Sequence, residues 1–302
     1  MNILKHILLF SFIVVACGSG LADPSGQSPD GEPVSPDPSD GALVADGNDE
    51  STYSLILDSG YNYETPDHSG AHSSAPYRHI RQSYDEFLKK YVFDFILHIQ
   101  NDDDRGKANI KDRQRNEIKT DSKSPESMVA QKGETLVMRW KFRLPEGMQT
   151  TTKFSHVHQL KGIDNSAGNA DVSMPLITFT ARSLSSGGQQ FQIIHTAPSS
   201  QGSKNTTIYR CDLSTFLGRW VEAVETVRFD EEGSYELVIR SLDDGKEIVH
   251  ISPRKLWLWR EGSTGMRPKW GLYRNFGTDR SNAHLLRDEC LKFADFQVQK
   301  VR

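Results

Sequence analysis

From residue 135 onward, apolar side chains recur at every second position in short runs separated by Gly, Asn, Asp and Ser. The run Thr135–Arg143 shows the pattern: Leu136, Met138, Trp140 and Phe142 alternate with Val137, Arg139, Lys141 and Arg143. Period two is the mark of a strand with one buried face. The same alternation marks residues 154–161, 176–182, 191–195, 207–211, 220–229, 235–241, 269–275 and 293–301. So many strands without the crossover helices that parallel pairing needs predict an all-β jelly-roll sandwich. One short helix is predicted near residues 83–90, where Tyr84, Phe87, Leu88 and Tyr91 fall on one helical face.

The ends of the chain read differently. Lys5 and His6 precede an apolar run over residues 7–15 and the small residue Ala16, which reads as an export signal too short to span a bilayer. Residues 18–50 are rich in Gly, Ser, Pro, Asp and Glu, with too little apolar surface to offset the entropy of ordering. The expected organisation is a signal peptide over residues 1–16, a flexible acidic tether over 17–50 and one β domain over 51–302. Val14-Val15-Ala16-Cys17 resembles a lipobox, which implies lipidation of Cys17, and Gly18 after it implies the outer membrane. The expectation is therefore an exported chain, an outer-membrane lipoprotein or extracellular, touching membrane only through a lipid anchor. With Cys17 taken, Cys211 and Cys290 remain, either as one disulfide or as two thiols. Lys and Arg number 36 against 40 Asp and Glu, for a net charge of −4, which disfavours a nucleic-acid partner. An anionic ligand must meet a local basic cluster.

Three segments place polar residues where strands should bury apolar ones. Arg113, Arg115, Glu117 and Lys119 share one face by parity. In the run from Ser155 to Lys161, parity puts His156 and His158 together, with Gln159 and Lys161 opposite; two histidines at that spacing also suit zinc. In the third, Lys269, Gly271, Tyr273 and Asn275 share a face opposite Trp270 and Leu272, and Gly271 leaves room for a close approach to the backbone.

Taken together, Arg115-Asn116-Glu117-Ile118-Lys119, His156-Val157-His158 and Lys269-Trp270-Gly271-Leu272-Tyr273-Arg274-Asn275 resemble the three signature strands of alginate lyases of polysaccharide lyase family seven. That family carries Arg-Ser-Glu-Leu-Arg, Gln-Ile-His and Lys-Ala-Gly-Val-Tyr-Asn-Gln, on a concanavalin A-like jelly roll. His156 stands for the family's Gln, Lys119 for its second Arg and Asn275 for its final Gln. The strands also look like those of the glucuronan and heparin lyase groups. The resemblance implies β-elimination on a uronate polysaccharide. Arg115 would grip the carboxylate with help from His156, and His158 and Tyr273 would share the base and acid roles. Tyr273 would need its pKa lowered by Arg115 and Lys269. Glu117 would orient Arg115, and Arg113, Lys119, Lys269 and Asn275 would contact substrate in flanking subsites.

The expected partner is an acidic polysaccharide, met by a monomer without a cofactor, although Asp102-Asp103-Asp104 offers oxygens to calcium and Asp67, His68, His72 and His79 offer a metal site or a groove rim. A glycoside hydrolase is disfavoured because the paired Glu-x-Asp-x-x-Glu strand of sandwich glucanases is missing. The alternative is a non-catalytic, lectin-like carbohydrate-binding lipoprotein in which Trp257, Trp259 and Trp270 stack on sugars.

Overall fold

The computed structural model describes residues 41–68, 78–107, 110–199 and 202–301. In chain order the strands are β1 Ala42–Leu43, β2 Asn62–Glu64, β3 Ile80–Asp85, β4 Lys90–Leu97, β5 Arg113–Lys119, β6 Thr135–Arg143, β7 Ser155–Ile163 and β8 Ile177–Ser183. They continue as β9 Gln189–Ser199, β10 Gly202–Asp212, β11 Trp220–Arg228, β12 Gly233–Ser241, β13 Glu247–Leu256, β14 Gly265–Asn275 and β15 Glu289–Val301. A back sheet runs β13-β12-β11-β6-β15-β4-β3 with β1 added on β15, and a front sheet runs β10-β9-β8-β7-β14-β5-β2. All named pairings are antiparallel, and the molecule is a jelly-roll β-sandwich. Its core lies between the sheets, where Trp140 and Phe142 of β6 meet Phe179 of β8, Phe191 of β9 and Trp270 of β14, each at most 1 % exposed. Each such side chain contributes on the order of 1.5–3 kcal/mol by leaving water.

Two expectations need correction. The helix near residues 83–90 is instead the β3–β4 hairpin. Asp85 accepts hydrogen bonds from the Phe87 and Leu88 amides at 3.1 and 3.0 Å, Lys89 closes the turn at φ 53°, and Tyr84 and Tyr91 become cross-strand partners. The spacing of seven that suits a helix face also suits two strands folded back on a tight turn. The one α-helix among the described residues, α1, is Thr52–Asp58. The folded unit also begins earlier than residue 51: Leu43 is buried beside Phe296 of β15, and Asp49 accepts from Arg81 at 2.8 Å and the Gln82 amide at 2.7 Å. Residues 1–40, with the signal, Cys17 and most of the tether, lie outside the described residues. Cys211 and Cys290 are free thiols on β10 and β15, strands of different sheets.

One local feature decides which side chains reach the outer face of the front sheet. Over one stretch β8 takes a single step from Phe179 to Thr180, β7 takes two from His158 to His156, and β14 takes three from Trp270 to Tyr273. Each added residue is a bulge, which bends a strand and re-aims its side chains. On β7 the added residue turns His156 outward and His158 inward, so the alternation assumed from sequence fails there. Gly271 sits inside the β14 irregularity at φ 142°, where a Cβ would collide with the Asn116 carbonyl oxygen and stand 2.8 Å from the Cα of Glu117. The close approach expected at Gly271 is thus made by the backbone of β5. Gly271→Ala should cost at least about 1–3 kcal/mol from the backbone conformation alone, read as a fall in the urea midpoint against wild type; an unchanged midpoint would sink this account of the bulge.

Candidate active site

The outer face of the front sheet holds a cleft of about 290 Å³ lined by Arg113, Arg115, Phe154, His156, Gln159, Lys161, Thr178, Arg182 and Tyr273, among others. That is near the lower end of small-ligand clefts, roughly 300–1,000 Å³. Strand register sets its centre. Tyr273 pairs with Arg115 on one side and His156 on the other, and His156 pairs with Thr180. Four neighbouring strands therefore put Arg115, Tyr273, His156 and Thr180 in one row.

Each member of the row is held. The Arg115 guanidinium carbon lies over the Tyr273 ring, 3.7 Å from its centroid, and Arg113 donates to the Tyr273 hydroxyl at 2.9 Å. Phe154 stacks on the His156 imidazole at 4.3 Å, with the Tyr273 ring centroid 6.0 Å from that imidazole. Thr180 donates its hydroxyl proton to Thr178 at 3.1 Å, so its oxygen accepts from His156 Nδ1 at 2.7 Å. This arrangement assigns the ring proton to Nδ1 and leaves Nε2 its lone pair. Burial, reinforced by the charges of Arg182, Arg115 and Lys161, pushes His156 down to about 3, so its imidazole is neutral. Burial also raises the Tyr273 phenol above its ordinary value, against the opposing pull of Arg115 and Arg113. The lowered tyrosine pKa expected from sequence is therefore reversed, because desolvation outweighs the nearby cations.

Beneath the row runs a network of three carboxylates and four cations. Glu117 accepts from Arg115 and from Lys269, each at 2.6 Å; Glu64 accepts from Lys269 at 2.7 Å, Lys119 at 3.0 Å and Arg105 at 3.1 Å, and faces Arg115 at 3.2 Å; Asp104 holds Arg115 at 2.8 Å and Arg105 at 3.0 Å. Gln159 donates to Glu117 as well. Burial opposes charge on Glu117, yet Lys269 and Arg115 hold it down to about 2, while burial and then Arg115 bring Lys269 down to about 8.

The structure thus sorts the expected site residues. Arg113, Arg115, His156 and Tyr273 come together, and Glu117 accepts from Arg115 at 2.6 Å. Arg115 faces three carboxylates, so it is not a vacant grip for a substrate anion. Lys269 and Lys119 are tied to Glu64, and Asn275 bonds Asp112 at 2.8 Å and the Gly277 amide at 2.9 Å, which leaves none of them committed to the cleft. His158 faces the core: it is fully buried among Trp140, Phe179 and Trp270, with Nδ1 2.9 Å from the Lys269 carbonyl and Nε2 3.0 Å from Glu225 of β11. It cannot share a zinc ion with His156 across the thickness of the sheet. Trp270 is buried too, and so is unavailable for stacking on sugars.

The acidic triplet disperses rather than converging on a cation. Asp102 pairs with His79 at 2.8 Å, Asp103 accepts from the Gly106 amide at 2.5 Å, and Asp104 serves the arginines. His79, His98 and Asp102 do bring ligand atoms within 4.8 Å of one another. Burial works against charge on His79, but hydrogen bonds to Asp102 and Asp67 prevail and push it up to about 9, which favours a charged imidazole over a metal ligand. Of the other histidines expected there, His68 stands at the end of a short turn at residues 66–68, and His72 lies outside the described residues.

The sequence reading assigned Gln159 and Lys161 no role in the site, and it missed Thr178, Thr180 and Arg182. The last three satisfy the same alternation test on β8 that singled out the other strands.

No protein-family model and no curated protein sequence matches the chain. Solved structures do match its fold. A marine alginate lyase of family PL-14 from Aplysia kurodai superposes with TM-score 0.52 at 10% identity, covering 86% of this chain and 98% of its own. A family 7 alginate lyase in complex with substrate gives 0.50 at 14%, covering 80% and 92%. An endo-β-1,4-glucuronan lyase from the fungus Trichoderma reesei gives 0.49 at 13%, covering 80% and 91%. The first two establish the shared jelly roll, and at such identities the likeness speaks for the fold alone.

The two histidines should behave oppositely on substitution. His158→Ala leaves Glu225 buried without its partner and should cost roughly 3–5 kcal/mol, whereas His156→Ala removes a half-buried neutral ring from the cleft wall and should cost less, about 1 kcal/mol. Urea denaturation of both variants checks this, and equal losses would mean that the inward and outward assignments are wrong.

Proposed function

We propose that the chain is a polysaccharide lyase that cleaves a uronate-containing glycan, alginate, glucuronan or a related polymer, by β-elimination. The observation that carries this reading is the row of Arg115, Tyr273 and His156 on three adjacent strands, with a neutral imidazole beside a protonated phenol. Elimination removes the proton at C5 of the uronate and expels the oxygen at C4. His156 Nε2 takes the C5 proton, and Tyr273 gives its phenolic proton to the leaving oxygen. The electron pair released at C5 forms the C4–C5 double bond, so the two new ends are an unsaturated uronate and a free hydroxyl. Arg113, on the phenol oxygen at 2.9 Å, stabilises the phenolate that Tyr273 becomes, and Arg115 above its ring adds positive potential. The fold shared with alginate lyases supports the reading. So do the signature strands, even though the histidine in the cleft is His156 rather than His158. Export and a lipid on Cys17 would let a monomer meet polymer outside the membrane.

The test is ultraviolet absorbance of the conjugated product when residues 41–302 are incubated with alginate, glucuronan, heparin, ulvan or pectate. One polymer should give rising absorbance, and Tyr273→Phe and His156→Ala should each lower kcat by roughly 100- to 10,000-fold. The rival lectin-like reading rests on Trp257, which stands 41% exposed. Retarded migration in a gel containing polymer, with no absorbance from any of the five, would favour it.

The pH profile tests the base separately. The acid limb of kcat/KM reports the free protein. With His156 lowered to about 3 its basic form persists well below neutrality, so the limb should lie below the ordinary histidine range. A limb at pH 6 to 7 that disappears in His156→Ala would contradict the neutral imidazole described here.

A further inference from the structure

The cations lining the cleft are not equivalent. Arg113 spends two nitrogens on Asp112, both at 2.7 Å, and a third on Tyr273. Arg115 faces Glu117, Asp104 and Glu64. Among the described residues, Lys161 and Arg182 have no carboxylate at ion-pair distance. Lys161 donates only to the Ser173 carbonyl at 3.1 Å, and Arg182 keeps a buried Nε without any partner. A half-buried guanidinium without a counter-charge has lost hydration and gained nothing in return. That arrangement suits a ligand that brings the negative charge with it.

Their placement is informative. Ala181 pairs with Ser155, so Arg182 stands level with Phe154, beyond His156, while Lys161 lies beyond Gln159 in the other direction. At about 3.3 Å per residue the two Cα positions are roughly 20 Å apart along β7, with the His156–Tyr273 pair between them. Both charges bear on His156, so both are within electrostatic reach of the centre.

We propose that Arg182 and Lys161 are the carboxylate receptors of the substrate, holding uronate residues on either side of the one at His156 and Tyr273, so that a linear polyuronate lies along β7. Resting on the lyase reading above, this assigns the anion grip to β7 and β8 rather than to the arginines of β5. Arg182 can meet a carboxylate with two parallel hydrogen bonds, while Lys161, brought down to about 7 by burial and by the charges of Lys269 and Arg115, gains its full charge as a carboxylate seats beside it. Arg267 stands opposite Lys161 on β14 with a buried Nη1 that has no partner, and it adds positive charge at the same end. A neutral glycan would leave these nitrogens desolvated and unpaired, which is how a built site rejects the wrong substrate. Seated carboxylates would also cancel positive potential at His156 and strengthen it as a base, linking occupancy of the flanking subsites to the reaction.

The experiment compares wild type, Arg182→Gln, Lys161→Gln, the double glutamine variant and Arg182→Lys in cleavage of the carboxylated polymer, and by gel retardation in binding of that polymer and of the same polymer with its carboxyl groups reduced, which β-elimination cannot cleave. Each glutamine variant should raise KM roughly ten- to a hundredfold with kcat little changed, and Arg182→Lys should recover part of the loss. The double glutamine variant should no longer prefer the carboxylated polymer. Wild-type KM should climb with added salt. Thermal melts of each variant show whether it folds, and the salt series on wild type decides even if one does not. If both glutamine variants keep wild-type KM, or if wild-type KM is indifferent to salt, Arg182 and Lys161 are not the receptors, although the lyase reading stands because wild type still cleaves. A wild type that neither binds nor cleaves any carboxylated polymer removes both.

Discussion

One extra residue in β7, and one more in β14, decide what this sheet can do. The offsets between β8, β7 and β14 accumulate across three strands, so a face that would otherwise alternate cleanly is cut in two. Above the irregularity the row is Arg115, Tyr273, His156 and Thr180; below it, Lys269, Gln159 and Thr178 line up instead. A glycine is needed where the strands crowd, because β5 passes so close to Gly271 that no side chain fits. The geometry of the proposed centre is thus a consequence of backbone irregularity, with bulges serving to re-aim side chains.

The ion network under that row has a chemical consequence of its own. Residues of β5 look from sequence like a basic floor for an anion, yet Glu64 and Asp104, which come from elsewhere in the chain, meet those cations from the side. A charge already balanced by carboxylates at 2.6 to 3.2 Å exerts little net pull on another carboxylate. The positive potential left over appears two and three strands away, on Lys161 of β7 and Arg182 of β8. Local sequence shows the cations but cannot show which distant acids neutralise them, and that is why Arg115 read as a grip.

What was legible in the sequence follows the same division. Runs such as Thr135–Arg143 and Trp220–Arg228 have one face in the core and one in solvent, and alternation alone located them almost to the residue. Tyr273, Arg115 and Arg113 were legible because β14 and β5 stay in step with each other. His158 was misread because a bulge in β7 cannot be told from a regular strand by residue type. The hairpin at Tyr84 and Tyr91 was misread because a tight turn places residues seven apart side by side, as a helix does. Gln159 and Lys161 were seen only as the face opposite the histidines, and Arg182 went unnoticed, because their significance depends on neighbours from other strands.

Setting seven charged groups, five of them buried, beneath a ligand site is not the cheapest way to stabilise a sheet. Well-packed apolar residues of the same volume often serve as well or better, by roughly 1–4 kcal/mol in systems where the exchange has been made. The network therefore calls for another reason, and Tyr273 supplies one. Its ring is covered at 3.7 Å by a guanidinium that is itself fixed from three directions, and its hydroxyl is held by Arg113, which Asp112 fixes in turn. An apolar floor could support the ring but could not stabilise a phenolate above it. Positive charge could do so, but bare arginines would repel one another and would capture the substrate carboxylate directly over the phenol, blocking the leaving oxygen. Paired with acids, Arg115 gives Tyr273 a rigid, electrostatically favourable seat while the substrate's carboxylates are drawn to the unpaired cations on either side.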